Sequence, residues 1–154
     1  MTHITLSHDY TLGRPFAAIR DWVSLFRPRE WMKSIFVLAP ALFSRSEWTV
    51  ALLAQGLTAC FCFCLLASAV YAVNDIVDAE ADQVHPRKKH RPVASGAISP
   101  WAAGTGAFLL VVAALGLAFV TLAPPFLFLA ALYVANSLAY CLLLKHRVSM
   151  GRSR

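Results

Sequence analysis

The sequence predicts an all-α integral membrane protein, a helical bundle of about four transmembrane helices, from its composition and from the arrangement of its apolar residues. Of the 154 residues, 58% are hydrophobic and only 14% are charged, whereas a soluble domain of this size carries roughly a quarter charged residues. The apolar residues also occur in long unbroken blocks, which is typical of segments that cross a bilayer. We therefore expect much of the hydrophobic surface to face lipid.

The first two uncharged blocks each predict one span. The first runs from Ser34 to Phe43, contains Pro40, and is extended backwards through Trp31 to reach a useful length. The second runs from Thr49 to Val73 and is long enough to cross a bilayer as one helix. The first is the less regular of the two because it is short and interrupted by a proline.

The third uncharged block predicts two more spans. It runs from Ala97 to Leu144, which is long enough for two helices of about 20 residues each. Pro124-Pro125 lies near its middle and marks the expected turn between them. The chain is therefore predicted to cross the membrane four times.

The positions of the basic residues predict the orientation of these spans. Of the 14 Lys and Arg residues, five precede Ser34, four lie in Arg87–Arg91, four follow Leu144, and only Arg45 falls on the opposite side. Basic residues concentrate in cytoplasmic loops, so both termini and the 75–96 loop are predicted to be cytoplasmic. Since this topology explains the net charge of +6, we expect no nucleic-acid partner.

The N-terminal region is predicted to contain a tail and an amphipathic helix. Residues 1–14 are expected to be a flexible tail, and they lack the basic-then-apolar order of a cleavable signal peptide. From Pro15 to Trp31, apolar residues recur at helical spacing: Phe16, Ile19, Trp22, Val23 and Phe26. This pattern favours a helix lying in the membrane interface, with disorder or a protein contact as the alternatives.

A dense acidic segment follows the second span. On a helix that turns about 100° per residue, Asp75, Asp78 and Asp82 share one face about 60° wide. Asn74 lies at the edge of that face, whereas Glu80 lies on the opposite side. Three like charges on one face repel each other, so the arrangement requires a cation at neutral pH.

The chemistry around this acidic face indicates Mg²⁺ and a phosphorylated substrate. Mg²⁺ prefers oxygen ligands and often bridges carboxylates to phosphates. Four basic residues that follow could hold phosphate oxygens, namely Arg87, Lys88, Lys89 and Arg91, although their charge could equally serve topology alone. His85 is interpreted as a loop or capping residue.

A second basic segment, Arg27–Lys33, precedes the first span. Trp31 has the position of an interfacial aromatic residue. Lys33 could face the interior of the bundle and meet a phosphate, or its ammonium could extend to the membrane surface. The sequence pattern leaves both possibilities open.

Three segments together resemble the UbiA-type intramembrane prenyltransferase superfamily. Arg27–Lys33 is similar to its R-P-x-x-W-x-K entry segment, and Asn74–Asp82 is similar to its N-D-x-x-D-x-x-x-D motif. His85–Gly96 resembles the H-P-x-K-x-x-R-P-[IV]-A-[AS]-G loop of the branch that includes decaprenyl-phosphate phosphoribosyltransferase. The resemblance covers roughly Pro15 to Lys145.

The resemblance implies a fold and a set of site residues. The fold would be the N-terminal half of a nine-helix bundle with a cavity open to lipid, with residues 15–145 as its transmembrane domain and 146–154 as an atypical tail. Asp75, Asp78 and Asp82 would be the catalytic Mg²⁺ and diphosphate ligands, assisted by Asn74. The substrate- and phosphate-binding residues would be Arg27, Lys33, Asn74, Arg87, Lys88 and Arg91.

The resemblance also implies a reaction. The expected activity is Mg²⁺-dependent transfer of 5-phosphoribose from phosphoribosyl pyrophosphate to a polyprenyl phosphate, for cell-wall arabinan precursors, in the bacterial inner membrane. Prenyl transfer to an aromatic or other small acceptor is the alternative, and an oligomer is possible. A non-catalytic half-bundle and a small transporter subunit are further alternatives, the last because carboxylates within a membrane can form an ion path.

Two departures from the family pattern stand out. Ser34 occupies the position where the family usually has Asn after the entry-segment Lys. Family members also carry a second acidic motif on a later cytoplasmic loop, whereas this chain ends after the fourth predicted helix. The expectation is therefore a truncated or frameshifted product whose own activity is open.

Overall fold

A computed structural model describes residues 13–39 and 49–141, and every regular element in these ranges is helical. The all-α prediction is confirmed. The elements in chain order are α1 (Gly13–Phe26), a 3₁₀ helix (Pro28–Leu38), α2 (Val50–Val77), α3 (Ala79–Gln83), a 3₁₀ turn (Lys88–His90), α4 (Pro100–Thr121) and α5 (Pro124–Ala139).

Two helices of the described ranges are long and apolar enough to cross a membrane. They are α2, with 28 residues, and α4, with 22, and each has a mean hydropathy of 2.2. Helix α5 is apolar but has 16 residues, and the end of the predicted fourth span, to Leu144, lies outside the described residues. The second and third predicted spans are thus confirmed by length and composition, while the fourth stays a prediction.

The structure differs from the prediction of a first membrane-spanning helix. Its described part is a 3₁₀ helix of 11 residues rather than an α-helix, and residues 40–48 lie outside the described ranges. The 3₁₀ helix begins at Pro28, immediately after Arg27, whose backbone is left-handed with φ of 49°. This turn ends α1 and redirects the chain, which the apolar pattern alone did not reveal.

Helices α2 and α4 pack in antiparallel fashion through small side chains. The motif-end cluster, at the end of α2 that carries the acidic segment, contains the buried residues Leu25, Ala69, Ala72, Val93, Ile98, Ala103 and Ala107. The distal cluster, at the other end, contains Cys62, Leu66, Ala114, Ala118 and Ala130. Alanines let the helix backbones approach closely, which is how membrane helices associate.

Helix α5 begins at the predicted turn and returns to the motif end. Pro124 occupies its first turn, where a proline loses no helical hydrogen bond. Phe63 on α2 packs edge-on against Phe126 and Tyr133, with ring centroids 5.5 and 5.4 Å apart. At the far end of α5, the Cys141 thiol lies 3.6 Å from Asn74 Oδ1, so α5 ends beside the acidic segment.

Helix α1 divides its apolar residues between the protein and its surroundings. Leu25 is fully buried, and Trp22 and Phe26 pack on the motif-end cluster. Phe16 and Ile19 are largely exposed. The predicted amphipathic helix is therefore present, and part of its apolar face is a packing surface rather than a lipid surface.

Candidate functional site

The acidic segment keeps its three aspartates on one face across the junction of α2 and α3. Two backbone hydrogen bonds carry helical geometry through it: the Asp78 amide donates to the Asn74 carbonyl at 3.0 Å, and the Asp82 amide donates to the Asp78 carbonyl at 2.8 Å. Asp75 and Asp82 are almost fully buried, whereas Glu80 is exposed. The helical spacing thus separated the three inward carboxylates from Glu80 as predicted.

Arg91 lies at the point where these three carboxylates converge. Its Nη1 atom is 2.6 Å from Asp82 Oδ2, 3.5 Å from Asp75 Oδ1 and 3.8 Å from Asp78 Oδ2. The cation that the acidic face requires is therefore supplied here by a side chain of the same protein. Charge-assisted hydrogen bonds of this kind are among the stronger ones in proteins.

Arg27 supplies a second cation to Asp75. Its Nη2 atom donates a 2.6 Å hydrogen bond to Asp75 Oδ1, and its guanidinium lies 5.0 Å from the centre of the Tyr71 ring. A left-handed backbone at a residue other than glycine costs about 1–3 kcal/mol and is often found at functional sites. The ion pair with buried Asp75 offsets that cost and fixes the start of the entry segment against α2.

Two further residues complete the charged cluster. The Lys88 ammonium lies 3.9 Å from Asp82 Oδ1 and is about half exposed. The Asn74 amide donates to Asp78 Oδ2 at 3.2 Å. We call Asp75, Asp78 and Asp82, together with Arg27, Asn74, Lys88 and Arg91, the carboxylate–arginine cluster.

One oxygen of this cluster has no partner among the described residues. Asp75 Oδ2 is buried and accepts no hydrogen bond there, which is unusual for a buried polar atom. Such an oxygen is suited to a bound cation or to a donor on a ligand. Within the described residues, Asp75 Oδ2 is thus the buried side-chain oxygen of the site that lacks a hydrogen-bond partner.

The loop between α3 and α4 holds Arg91 in place. Val93 and Ile98 are 4% and 5% exposed and belong to the motif-end cluster. The Ile98 amide donates to the Pro92 carbonyl at 3.0 Å, and Gly96 takes a positive φ of 77° that favours glycine. The loop folds back under the helices, and the sequence pattern gave no sign of this anchoring.

His85 caps the start of the same loop. Its Nδ1 atom accepts hydrogen bonds from the backbone amides of Arg87 and Lys88 at 3.2 and 3.3 Å. This is the capping role predicted for it.

The entry segment is fixed to α2 by a buried hydroxyl. The Trp31 indole donates to Ser68 Oγ at 2.9 Å. That hydroxyl lies 2.8 Å from the Phe26 carbonyl and 2.9 Å from the Cys64 carbonyl, either of which can accept its proton. Trp31 therefore positions the segment as well as having an interfacial location. Ser68 was missed, although a polar residue within an apolar span was a usable signal.

Two predicted phosphate-binding residues are not brought into the cluster. The Lys33 ammonium pairs with the Glu30 carboxylate and its side chain is 74% exposed. This hydrogen-bonded pair lowers the pKa of Glu30 and raises the pKa of Lys33. Within the described part of the chain, the Arg87 side chain forms no ion pair and is exposed. Phosphate binding by Lys33 and Arg87 stays a prediction.

The predicted Mg²⁺ ligands are suited to the metal in chemistry but are engaged by other cations. Among the described residues, no three His, Cys, Asp or Glu side chains are arranged to hold a metal ion, because the aspartates face arginines. Carboxylate oxygens are nevertheless the ligands that Mg²⁺ prefers, and Asp75 Oδ2 is without a partner. The three carboxylates therefore fit Mg²⁺ in chemistry, and binding the ion requires Arg27 and Arg91 to move away from them.

Two cavities near the carboxylate–arginine cluster differ in the chemistry of their lining. The polar cavity, of about 380 Å³, is lined by Arg27, Val70, Tyr71, Asn74, Asn136, Ser137, Tyr140 and Cys141. The apolar groove, of about 300 Å³, is lined by Ala69, Val70, Val73, Gly104, Ala107, Phe108, Val111, Val134 and Leu138. The polar cavity includes Arg27 and Asn74 of the cluster, and the apolar groove shares Val70 with the polar cavity.

Comparison with known proteins gives a consistent result. The chain is 38% identical over 150 residues to the decaprenyl-phosphate phosphoribosyltransferase of Mycolicibacterium smegmatis. The aligned region covers 95% of this chain and 47% of that protein. It is 34% identical to the Corynebacterium glutamicum protein of that name over 94% of this chain and 45% of that protein. It is also 34% identical to the protoheme IX farnesyltransferase of Stutzerimonas stutzeri over 66% of this chain and 33% of that protein.

These matches agree on family and on extent. The chain spans about half the length of the phosphoribosyltransferases that it matches. Residues 34–152 match the model of the UbiA prenyltransferase family, and this range includes the acidic segment and the loop that carries Arg91. The chain therefore belongs to the UbiA prenyltransferase family.

Proposed function

We propose that the protein acts in the transfer of 5-phosphoribose from phosphoribosyl pyrophosphate to a polyprenyl phosphate. The observation that carries this proposal is the carboxylate–arginine cluster, in which buried carboxylates and guanidinium groups alternate beside an apolar groove. The similarity to decaprenyl-phosphate phosphoribosyltransferases over most of the chain supports the choice of substrates.

The arginines of the cluster are suited to bind the diphosphate of the donor. Arg27 and Arg91 are 26% and 23% exposed, so their charges are partly withdrawn from water. Guanidinium groups in this state bind phosphate oxygens strongly, often through two parallel hydrogen bonds. An incoming diphosphate would compete with Asp75 and Asp82 for these donors and draw the arginines away from the carboxylates.

The carboxylates released in this way are the proposed Mg²⁺ ligands. Asp75, Asp78 and Asp82 would hold the ion, and the unpartnered Asp75 Oδ2 supports this role. When bound, Mg²⁺ would neutralise charge that develops on the leaving diphosphate. Asn74, which donates to Asp78 at 3.2 Å, keeps that carboxylate oriented.

The proposed reaction exchanges one carbon–oxygen bond for another. The bond between the ribosyl C1 and the diphosphate breaks, the diphosphate leaves with the electron pair, and an oxygen of the lipid phosphate forms the new bond to C1. Arg27, Lys88 and Arg91 stabilise the charge of the leaving group. The attacking phosphate is already anionic, so the reaction requires no general base.

The surroundings suit a lipid acceptor. The apolar groove lies against Val73 on α2 and Phe108 on α4, next to the charged cluster. A polyprenyl chain in this groove would place its phosphate near the arginines. We further propose that this end of the bundle is cytoplasmic and that the membrane is the bacterial inner membrane, as the distribution of basic residues indicates.

A transfer assay tests the proposal. Membranes containing the protein are given labelled phosphoribosyl pyrophosphate, a polyprenyl phosphate and Mg²⁺. The label that becomes attached to lipid is then measured. We expect product with the natural protein, loss of product with Asp75→Ala, and retention with Glu80→Ala, which removes an exposed carboxylate from the other side of the helix. Equal activity of both variants would contradict the proposed role of the cluster.

Prenyl transfer to a small acceptor is a second candidate. It is favoured by the similarity to the protoheme IX farnesyltransferase of Stutzerimonas stutzeri over 106 residues. The same membranes, given a labelled prenyl diphosphate and an aromatic acceptor, distinguish the two reactions. Product in this assay, with none from phosphoribosyl pyrophosphate, would favour the second candidate over the first.

A further inference from the structure

The polar cavity contains side chains that the proposed phosphate chemistry does not require. Asn136 and Ser137 interrupt an otherwise apolar stretch of α5, and both line this cavity. Polar residues within membrane helices are costly in lipid and usually face the bundle interior or a cavity. Their position therefore calls for a polar occupant.

The cavity is continuous with the carboxylate–arginine cluster. Arg27 and Asn74 belong to both. The end of α5 is held there by Cys141, whose thiol lies 3.6 Å from Asn74 Oδ1. A molecule whose diphosphate met Arg27 would therefore extend its next chemical group into this cavity.

The lining favours a neutral, hydroxylated group. Its polar members other than Arg27 are amides, hydroxyls and a thiol, and these neutral groups both donate and accept hydrogen bonds. Arg27, which pairs with Asp75 at 2.6 Å, is the residue proposed above to meet the diphosphate. A purely apolar occupant would cover the Asn136 amide without offering it a hydrogen-bond partner, which is unfavourable.

Asn136 is the lining residue with the most hydrogen-bonding capacity to spare. Its side chain makes no hydrogen bond within the described residues and is exposed to the cavity. Ser137, in contrast, is half-buried. The cavity volume of about 380 Å³ lies in the usual range for small-molecule sites, about 300–1,000 Å³.

We propose that the polar cavity binds the ribose ring of the donor and that Asn136 hydrogen-bonds the hydroxyl groups of that ring. The proposal rests on the proposed function, because it takes the donor to be a sugar diphosphate. Asn136 would then favour a sugar diphosphate over a prenyl diphosphate, whose chain offers no hydroxyl group. The residue would determine specificity without touching the diphosphate.

Binding measurements with two probes test the proposal. The two probes are phosphoribosyl pyrophosphate and inorganic pyrophosphate, each titrated in the presence of Mg²⁺. They are added to the purified protein, to its Asn136→Leu variant and to a Thr121→Val control. Thr121 is an exposed polar residue at the other end of the bundle, where its hydroxyl donates to the Leu117 carbonyl. We expect Asn136→Leu to bind phosphoribosyl pyrophosphate roughly 10- to 100-fold more weakly and to bind pyrophosphate as the natural protein does.

Each other outcome overturns a stated part of the account. Equal weakening of both probes would place Asn136 in the diphosphate site or in the folding of α5, and unchanged binding of both would remove it from recognition; either contradicts the inference alone. Natural protein that binds pyrophosphate but not phosphoribosyl pyrophosphate would contradict the proposed function and, with it, the inference. Should Asn136→Leu fold poorly by thermal unfolding, Asn136→Ser is expected to show the same selective loss at smaller magnitude.

Discussion

The motif-end cluster and the distal cluster are built from the same two helices but bury different chemistry. Both clusters contain buried side chains of α2 and α4, with Ala72 and Ala103 at one end and Leu66 and Ala118 at the other. Among the described residues, buried charge lies at the motif end and not at the distal end, with Asp75 at 1% and Asp82 at 3% exposure. Both ends are packed through apolar side chains, and buried charge distinguishes the motif end from the distal end.

The difference comes from what covers each end. At the motif end, α1 contributes Leu25 and the loop contributes Val93 and Ile98 to the packing. These segments also bring Arg27 and Arg91 to the aspartates. Buried ion pairs seldom add net stability but are strongly destabilising when one partner is removed. The motif end is thus specialised for charge, and the distal end for holding the helices together.

Removal of Arg91 should produce the largest loss. Arg91→Ala leaves three carboxylates facing one another without their shared cation, and we expect the free energy of unfolding to fall by about 3–5 kcal/mol. Denaturant titration of the purified protein in detergent measures this. Lys89→Ala, at an exposed position of the same loop, is the matched control. A loss as large in the control would show that the loop, not the ion pairs, is responsible.

Removal of packing at the distal cluster should separate stability from binding. Leu66 is fully buried, and Leu66→Ala is expected to cost about 2–5 kcal/mol because the cavity it leaves cannot close completely. Pyrophosphate affinity of the folded fraction should stay unchanged. A large change in that affinity would contradict the separation of the two ends.

Two glycines of α4 offer a finer test of the motif end. A Cβ atom at Gly106 would lie 2.7 Å from Trp22 Cζ3, whereas one at Gly104 would lie 3.9 Å from Ile76 Cδ1, an ordinary contact. Gly106→Ala is therefore expected to displace α1 and to cost about 1–3 kcal/mol, with little effect from Gly104→Ala. Thermal unfolding of the two variants compares them. Equal stability would show that α1 is not packed against Gly106 as described.

The Ser68 hydroxyl should have the smallest effect. Ser68→Ala leaves the Trp31 indole without its 2.9 Å acceptor and is expected to cost about 1–2 kcal/mol. Trp31 fluorescence should shift as the indole loses its partner. Thr58→Ala, which removes an exposed hydroxyl bonded to the Ala54 carbonyl on the same helix, should leave both the stability and the fluorescence nearly unchanged.

The sequence predicted the local features of the site and not the features that depend on distant contacts. Helical spacing separated Asp75, Asp78 and Asp82 from Glu80, because that face depends only on the local helix. The pairing of Arg91 with all three depends on how the loop packs under α4, which no short pattern encodes. The 3₁₀ helix after Arg27 was missed for a similar reason, since its left-handed backbone is stabilised by contact with Asp75.

The central claim, that the carboxylate–arginine cluster is a diphosphate site, is tested most directly by binding of inorganic pyrophosphate. The protein and its Asp75→Ala and Glu80→Ala variants are titrated with pyrophosphate in the presence and absence of Mg²⁺. The account predicts Mg²⁺-dependent binding that is lost in Asp75→Ala and kept in Glu80→Ala. Binding by Asp75→Ala that equals the natural protein in affinity and in Mg²⁺ dependence would contradict it.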